Sequence, residues 1–91
     1  MHAVIVRVNV SDPQPATQYL RETIVPRVSQ APGFVAGYWV RLEGGDEGNS
    51  VIVFESEDAA RAAAEQLRAS VDDNPGVTVD KVMIGEVVAN A

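Results

Sequence analysis

The stretch that decides the fold runs from Gly33 to Glu55: GFVAGYWVRL at 33–42, EGGDEGNS at 43–50 and VIVFE at 51–55. Two apolar runs, rich in β-branched and aromatic residues, flank a polar segment that contains Gly44, Gly45 and Gly48. This pattern predicts a β-hairpin whose loop, over 43–50, is longer than two residues. The stretch also contains the single tryptophan and both phenylalanines of the chain, so we expect it to supply the bulkiest packing.

Strands are also predicted at both ends of the chain. Residues 2–10 alternate, and one face is wholly aliphatic and suited to packing under helices: Val4, Val6, Val8 and Val10. The other face is mixed and suits a cavity or a subunit interface: Ile5, Arg7 and Asn9. A last strand is expected over 77–88, with a bulge or bend at Gly85.

Two helices are predicted between the strands. The first begins with Asp12 as a capping residue and Pro13 at the first helical position. Because Pro26 lacks a backbone N–H, this helix should kink or end near Thr23. The second begins at Ser56, and a turn cluster over 72–76 follows it. Its apolar stripe is Ala60, Ala63, Ala64, Leu67 and Val71.

The resulting order is β-α-β-β-α-β, which predicts an α+β sandwich of ferredoxin-like topology: one domain over 1–91, with an antiparallel sheet carrying both helices on one face. The other face would carry Ile5, Trp39 or Tyr38, and Val51 or Val53, and it is too apolar to remain in water. We therefore predict a homodimer that packs sheet against sheet and can enclose a cavity.

Composition excludes several classes of function. The net charge is −6, with 13 acidic against 7 basic residues, so binding to nucleic acid or to an anionic membrane is disfavoured. Without cysteine there are no disulfides, thiolate nucleophiles or Cys-ligated metals. His2 is the single histidine, so neither a metal site nor a Ser-His-Asp triad is expected. With no predicted signal peptide or membrane span, the expected location is the cytoplasm.

Two segments resemble the dimeric α/β-barrel superfamily, in particular its antibiotic-biosynthesis-monooxygenase-like group of small proteins. They are APGF at 31–34 with GYW at 37–39, and VFESEDAA at 53–60. The resemblance covers essentially the whole chain in the order and spacing of elements. It implies a ferredoxin-like homodimer, and the superfamily includes cofactor-independent oxygenases acting on polycyclic phenols, haem-degrading enzymes and muconolactone-type isomerases.

Two branches of the superfamily can be compared with the residues present. The haem-degrading branch uses an Asn in the first strand, a Trp just before the second helix and a His in or after that helix. Here Phe54 holds the Trp position and no histidine follows His2, so haem degradation is not expected. The quinone-forming oxygenases use Asn, Trp, Tyr and Arg around an aromatic substrate, and this chain contains all four types: Asn9, Trp39, Tyr38 and Arg7 or Arg41.

The candidate site is a cluster of four residues predicted on the uncovered face of the sheet: Arg7, Asn9, Trp39 and Arg41. An aromatic wall with cations and an amide could hold a phenolate or enolate and stabilise negative charge as oxygen adds. In the alternative, the cluster is a dimer interface in which Trp39 is a packing anchor and the arginines pair with Glu55 or Glu86 across subunits.

Two functions follow from these alternatives. One is a dimeric protein that binds a small aromatic or enolisable molecule without catalysis, and the other is a cofactor-independent monooxygenase or isomerase acting on a phenolic, polyketide-like substrate. Neither needs a metal or a prosthetic group. The pattern leaves open which of Tyr38 and Trp39 faces the barrel interior. Tyr19, on the first helix, is expected to pack, although its position can border a pocket between helix and sheet.

Overall fold

The computed structural model describes residues 1–69 and 76–91. Four strands form one antiparallel sheet in the order β2-β3-β1-β4: β1 (His2–Val10), β2 (Phe34–Arg41), β3 (Glu47–Phe54) and β4 (Val77–Glu86). The helical elements are α1 (Pro13–Tyr19), a π-helix (Leu20–Ile24), α2 (Val25–Ser29) and α3 (Glu57–Ala69). The predicted ferredoxin-like α+β fold is confirmed. Val71 and the predicted turn over 72–75 lie outside the described residues.

The hairpin loop is shorter than the sequence predicts. Glu47 to Ser50, placed in the loop by their polarity, belong to β3 and pair with both β1 and β2. The loop closes where the Leu42 N–H donates to the Glu47 carbonyl at 2.8 Å. Polar residues are retained here because β3 is a central strand, and pairing on both sides outweighs their low β-propensity.

A β-bulge near the start of β2 changes which side chains share a face. Phe34 lies opposite Phe54, but the next paired residue, Ala36, lies opposite Val53, so Val35 is the extra residue. Because an inserted residue shifts the alternation by one, Trp39 faces the same side as Phe34 rather than the opposite side. Phe34 and Tyr38, which regular alternation would place on the same side, therefore face opposite sides of the sheet.

A second bulge lies in β4, but not at the predicted glycine. Arg7 pairs with Lys81 and Val8 with Val79, which leaves Asp80 as the extra residue. Gly85 pairs regularly with β1, so the bulge predicted there is absent from the described part of β4. The additional residue at Asp80 places its carboxylate beside the neighbouring strand.

The sequence predicts that the first helix kinks or ends near Thr23; the helical segment over residues 13–29 does not end there, and a π-helix occupies that position. The π-helix Leu20–Ile24 ends two residues before Pro26, which has no N–H to donate to the Glu22 carbonyl. A widened turn accommodates this missing bond without ending the helix. Asp12 holds the predicted cap position, but its side chain makes no capping hydrogen bond. Ser56 does cap α3, because its Oγ accepts a hydrogen bond from the Ala59 N–H at 3.2 Å.

The core lies between the sheet and α3. Ala60 and Ala64 of α3 are fully buried against an apolar floor that includes Val4, Ile52 and Phe54. Their small side chains allow the helix to approach the sheet closely. None of the residues 13–29 is buried, so this segment covers the sheet less tightly than α3 does. The looser covering leaves space between the segment and the sheet.

Candidate functional site

A cavity of about 340 Å³ lies between the first helical segment and the sheet; we refer to it as the helix–sheet cavity. Its floor is mainly aliphatic, with Val6, Val8, Val10 and Ile52 from the two central strands, and it also includes the buried Ser50 of β3. Its rim combines aromatic and cationic side chains: Tyr19, Arg21, Trp39 and Arg41. Apolar walls with a few polar groups are typical of small-molecule sites.

The π-helix contributes directly to this cavity. Leu20, Arg21 and Ile24 belong to the π-helix and line the cavity together with Tyr19, which immediately precedes them. The hydrogen bond of a π-turn spans one more residue than that of an α-turn, which changes the direction of the side chains relative to a regular helix. Such turns are frequent at functional sites.

Trp39 forms the opposite wall. Its indole ring lies over Gly37 of the same strand, so closely that a Cβ atom on Gly37 would lie 2.8 Å from Cη2 of the ring. Trp39 is half-buried and packs against the core. The glycine therefore provides the space in which the ring lies along the strand at the edge of the cavity.

The four predicted site residues do not form one cluster. Trp39 and Arg41 line the helix–sheet cavity, whereas Arg7 and Asn9 pair with residues of β3 that face the uncovered side of the sheet. The prediction that all four share the uncovered face is therefore wrong, and the bulge at Val35 is the cause. Sequence reasoning missed Arg21, because the π-helix that turns it toward the cavity has no signal in helical periodicity.

Tyr38, next to Trp39, points to the uncovered face and is 66% exposed. It begins a row of apolar side chains that crosses all four strands: Tyr38, Val51, Ile5 and Met83. Val40 and Val51 on the same face are 52% and 38% exposed. The prediction of an uncovered, largely apolar sheet face is confirmed, with Tyr38 rather than Trp39 as its aromatic residue.

Arg7 is engaged within its own chain. Its Nε donates to Oδ2 of Asp80 at 2.8 Å, and both side chains are about half exposed, at 47% and 46%. The bulge in β4 makes this ion pair possible, because Asp80 is the inserted residue opposite the step from Arg7 to Val8. Arg7 therefore borders the apolar row as half of a neutral pair.

His2 lies away from the helix–sheet cavity, near the start of α3. Its Nε2 is 3.8 Å from Oε1 of Glu57, and its Nδ1 is buried without a hydrogen-bond partner among the described residues. Arg61 donates to Glu57 at 2.9 Å, and this hydrogen bond, together with the charges of Arg61 and His2, lowers the pKa of Glu57. The contact between His2 and Glu57 connects β1 to the amino terminus of α3.

Residues 1–69 and 76–91 contain no group of three or more His, Cys, Asp or Glu side chains arranged to hold a metal ion. Within the same ranges, no helix has the length and apolar character required to span a bilayer.

Comparison with known proteins identifies solved structures of similar fold. No protein-family model matches the chain, and no protein of curated function matches it in sequence. Similar solved structures include SnoaB, a cofactor-independent oxygenase from Streptomyces nogalater, with a TM-score of 0.73 at 14% identity over 98% of this chain and 94% of that one. A monooxygenase from the gene ActVA-Orf6 of Streptomyces coelicolor, solved with nanaomycin D, has a TM-score of 0.66 at 17% identity over 98% and 92%.

A dimeric ferredoxin-like protein from an uncultured marine organism is also similar, with a TM-score of 0.64 at 12% identity over 100% of this chain and 98% of that one. At these identities the shared property is the fold. The resemblance to the antibiotic-biosynthesis-monooxygenase-like group is confirmed at that level, with neighbours that are dimeric ferredoxin-like proteins and monooxygenases.

Proposed function

We propose that this protein binds a small aromatic or enolisable anion in the helix–sheet cavity, without catalysis, as a homodimer. The observation that carries the proposal is the composition of the cavity rim. The chain has a net charge of −6, yet among residues 1–69 and 76–91 the charged side chains that line this cavity are both arginines, Arg21 and Arg41.

The rim and the floor suit different parts of such a ligand. Trp39 offers an aromatic face for a flat ring, and the valines of the floor remove the ring from water. Arg21 and Arg41 are exposed, so a phenolate or carboxylate that they bind would lie at the mouth of the cavity. Because an arginine remains protonated, these groups bind and orient an anion but do not remove a proton from it. This chemistry favours binding over proton abstraction.

The homodimer is proposed to form through the uncovered face of the sheet. The row from Tyr38 to Met83 supplies a contiguous apolar surface, and the Arg7–Asp80 pair lies at its border. Aromatic anchors surrounded by a polar rim are typical of stable interfaces. The similar structure of a dimeric ferredoxin-like protein supports self-association of this fold.

Fluorescence titration tests the ligand proposal directly, because Trp39 is the single tryptophan of the chain and lines the cavity. The probe is para-nitrophenol near neutral pH, where it forms a phenolate that absorbs in the range of tryptophan emission. We expect saturable quenching. Arg41→Gln should weaken binding about five- to tenfold, since a charge-assisted hydrogen bond is lost. Arg61→Gln, a loss of the same charge away from the cavity, is the matched control.

A cavity-filling variant gives the second arm. Val8→Phe places a ring in the floor of the cavity and should abolish quenching, whereas Val88→Phe, at a position 89% exposed, should not change it. Circular dichroism is used to check that the Val8→Phe variant is folded. Quenching that persists in folded Val8→Phe, or no quenching in the parent protein, would overturn the proposal.

The second candidate function is a cofactor-independent monooxygenase acting on a phenol. It is favoured by the oxygenase activity of two proteins of similar fold and by the presence of Trp39, Tyr19 and Arg41 around one cavity. In such a reaction, one atom of O₂ forms the new carbonyl on a ring carbon, and that carbon loses its hydrogen. The other oxygen atom leaves as water with this hydrogen and the hydrogen of the phenol hydroxyl, so that the phenol becomes a quinone. Arg41 would stabilise the phenolate from which electrons pass to oxygen.

Oxygen consumption separates the two functions. The protein is incubated with naphthol in an oxygen electrode, and the rate is compared with that of Val8→Phe. A rate above that of the variant, with formation of naphthoquinone and one water per O₂, would establish the monooxygenase. Equal rates, together with saturable quenching by the phenolate, would establish binding without catalysis.

A further inference from the structure

A second cavity, of about 360 Å³, lies between α2, α3 and the sheet; we refer to it as the interhelical cavity. Its walls are mainly aliphatic, with Val28 from α2 and Ala63 from α3 above a floor of Val4 and Phe54. Phe54 is fully buried and Val4 is 1% exposed, so the floor of this cavity is the hydrophobic core itself.

The two cavities adjoin. Ile24 at the end of the π-helix, Ile52 in the centre of β3 and Leu67 on α3 each line both cavities. These three aliphatic side chains therefore form the boundary between the helix–sheet cavity, which has aromatic and cationic residues, and the mainly aliphatic interhelical cavity. A passage between the two cavities can open through rotamer changes of these side chains, without movement of the sheet.

The charged groups that line the two cavities differ, and the difference favours one orientation of a bound ligand. Arg21 and Arg41 line the helix–sheet cavity, whereas Arg27 is the charged residue that lines the interhelical cavity within the described part of the chain. All three arginines are exposed, so the cavities differ in the number of guanidinium groups, two against one, and in the Trp39 ring, which lines the helix–sheet cavity alone. An anionic head group is thus favoured under Trp39, and an uncharged chain is favoured beyond Ile24.

We infer that the two cavities together accept one elongated ligand, an aromatic anion that carries an unbranched alkyl or acyl chain. The ring lies against Trp39 with its anionic group at Arg41, and the chain passes Ile24 into the interhelical cavity. This inference rests on the proposed function, because it extends the same site. It goes further by assigning an aliphatic substituent to the ligand and a binding role to the space under α3.

The test uses a series of aromatic anions that differ only in chain length: para-ethylbenzoate, para-butylbenzoate and para-octylbenzoate, below their aggregation concentrations. Binding is followed by Trp39 emission. Burial of the chain should raise the affinity by about two- to fourfold for each methylene that enters the interhelical cavity. The gain should level off once the chain fills the cavity.

Ala63→Leu is the diagnostic variant, because Ala63 lines the interhelical cavity but not the helix–sheet cavity. It should remove most of the gain with chain length and leave the affinity for para-ethylbenzoate unchanged. Ala62→Leu is the matched control: it lies next to Ala63 on the exposed side of α3 and should behave as the parent protein. Val28→Phe, on the facing wall, gives an independent second variant should Ala63→Leu fail to fold.

The outcomes separate this inference from the proposed function. Saturable binding of para-ethylbenzoate with no gain along the series would overturn the inference and leave the proposed function intact. A gain that is the same in parent, Ala63→Leu and Val28→Phe would show non-specific apolar binding and would also overturn it. Absence of quenching by every benzoate and by para-nitrophenolate would overturn both. A gain that disappears in Ala63→Leu alone or with Val28→Phe, but not in Ala62→Leu, establishes the inference.

Discussion

The indole ring of Trp39 lies over Gly37, so that a Cβ atom at Gly37 would come within 2.8 Å of Cη2 and 2.9 Å of Cζ3 of the ring. Real Cβ atoms do not approach other atoms so closely, and any side chain at this position must displace the ring. The position of the Trp39 wall of the helix–sheet cavity therefore depends on Gly37, which does not itself line the cavity.

Gly37→Ala should move the Trp39 ring toward the cavity and reduce its volume. We expect a shift in the tryptophan emission maximum, a loss of about 1–3 kcal/mol in the free energy of unfolding from overpacking, and weaker quenching by para-nitrophenolate. Gly85→Ala is the matched control, since a Cβ atom there has nothing within 4 Å among the described residues. Unchanged emission in Gly37→Ala would show that the ring occupies a different position.

Tyr38 and Trp39 should have opposite roles, because adjacent strand residues face opposite sides of the sheet. Tyr38→Asp should raise the dissociation constant of the homodimer by about 10- to 100-fold, as expected for a central interface residue, and leave the emission of Trp39 nearly unchanged. Trp39→Ala should abolish ligand binding, measured by calorimetry, without dissociating the dimer. Native mass spectrometry gives the subunit number, and a monomeric parent protein would contradict the dimer proposal.

Phe54 should be the most sensitive position of the core. It is fully buried and its ring meets that of Phe34 edge-on, with centroids 6.2 Å apart and an interplanar angle of 78°. Phe54→Ala should lower the free energy of unfolding by about 3–5 kcal/mol, a large part of the stability of a small domain. Phe34→Ala, at a half-buried position, should cost about 1–2 kcal/mol. Urea denaturation measures both, and equal losses would contradict the assigned core.

Stability should depend on pH through Glu57. The hydrogen bond from Arg61, followed by the charges of Arg61 and His2, lowers the pKa of Glu57 below its ordinary value of 4.5. A carboxyl whose pKa is lower in the folded state contributes stability above its unfolded pKa, and this contribution is lost as pH falls through the folded pKa. The effect is small because the group is exposed.

The expected result is that Glu57→Gln melts at a slightly lower temperature than the parent near neutral pH, with the difference disappearing in acid. Thermal unfolding followed from about pH 7 to about pH 3 measures it. Glu65→Gln, a change on the exposed side of the same helix, is the control. A difference between Glu57→Gln and the parent that persists at the acid end would assign the effect to packing rather than to charge.

The sequence was sufficient for the architecture because its signals are local and repeated. Alternating valines in β1, a serine cap on α3 and two apolar runs around Gly44 and Gly45 each define an element, and the order of elements defines the ferredoxin-like topology. The apolar character of the uncovered sheet face followed in the same way, since each strand contributes β-branched or aromatic residues to both of its faces.

The location of the candidate site was decided only by the tertiary structure. A period of two predicts faces correctly until one residue is inserted, and the bulges at Val35 and Asp80 each insert one. No local composition marks either bulge; both arise from how strands pair. The bulge at Val35 turned Trp39 and Arg41 to the helix face, and the π-helix before Pro26 brought Arg21 to the same cavity. Sequence determines which elements form, but the register between them determines which side chains meet.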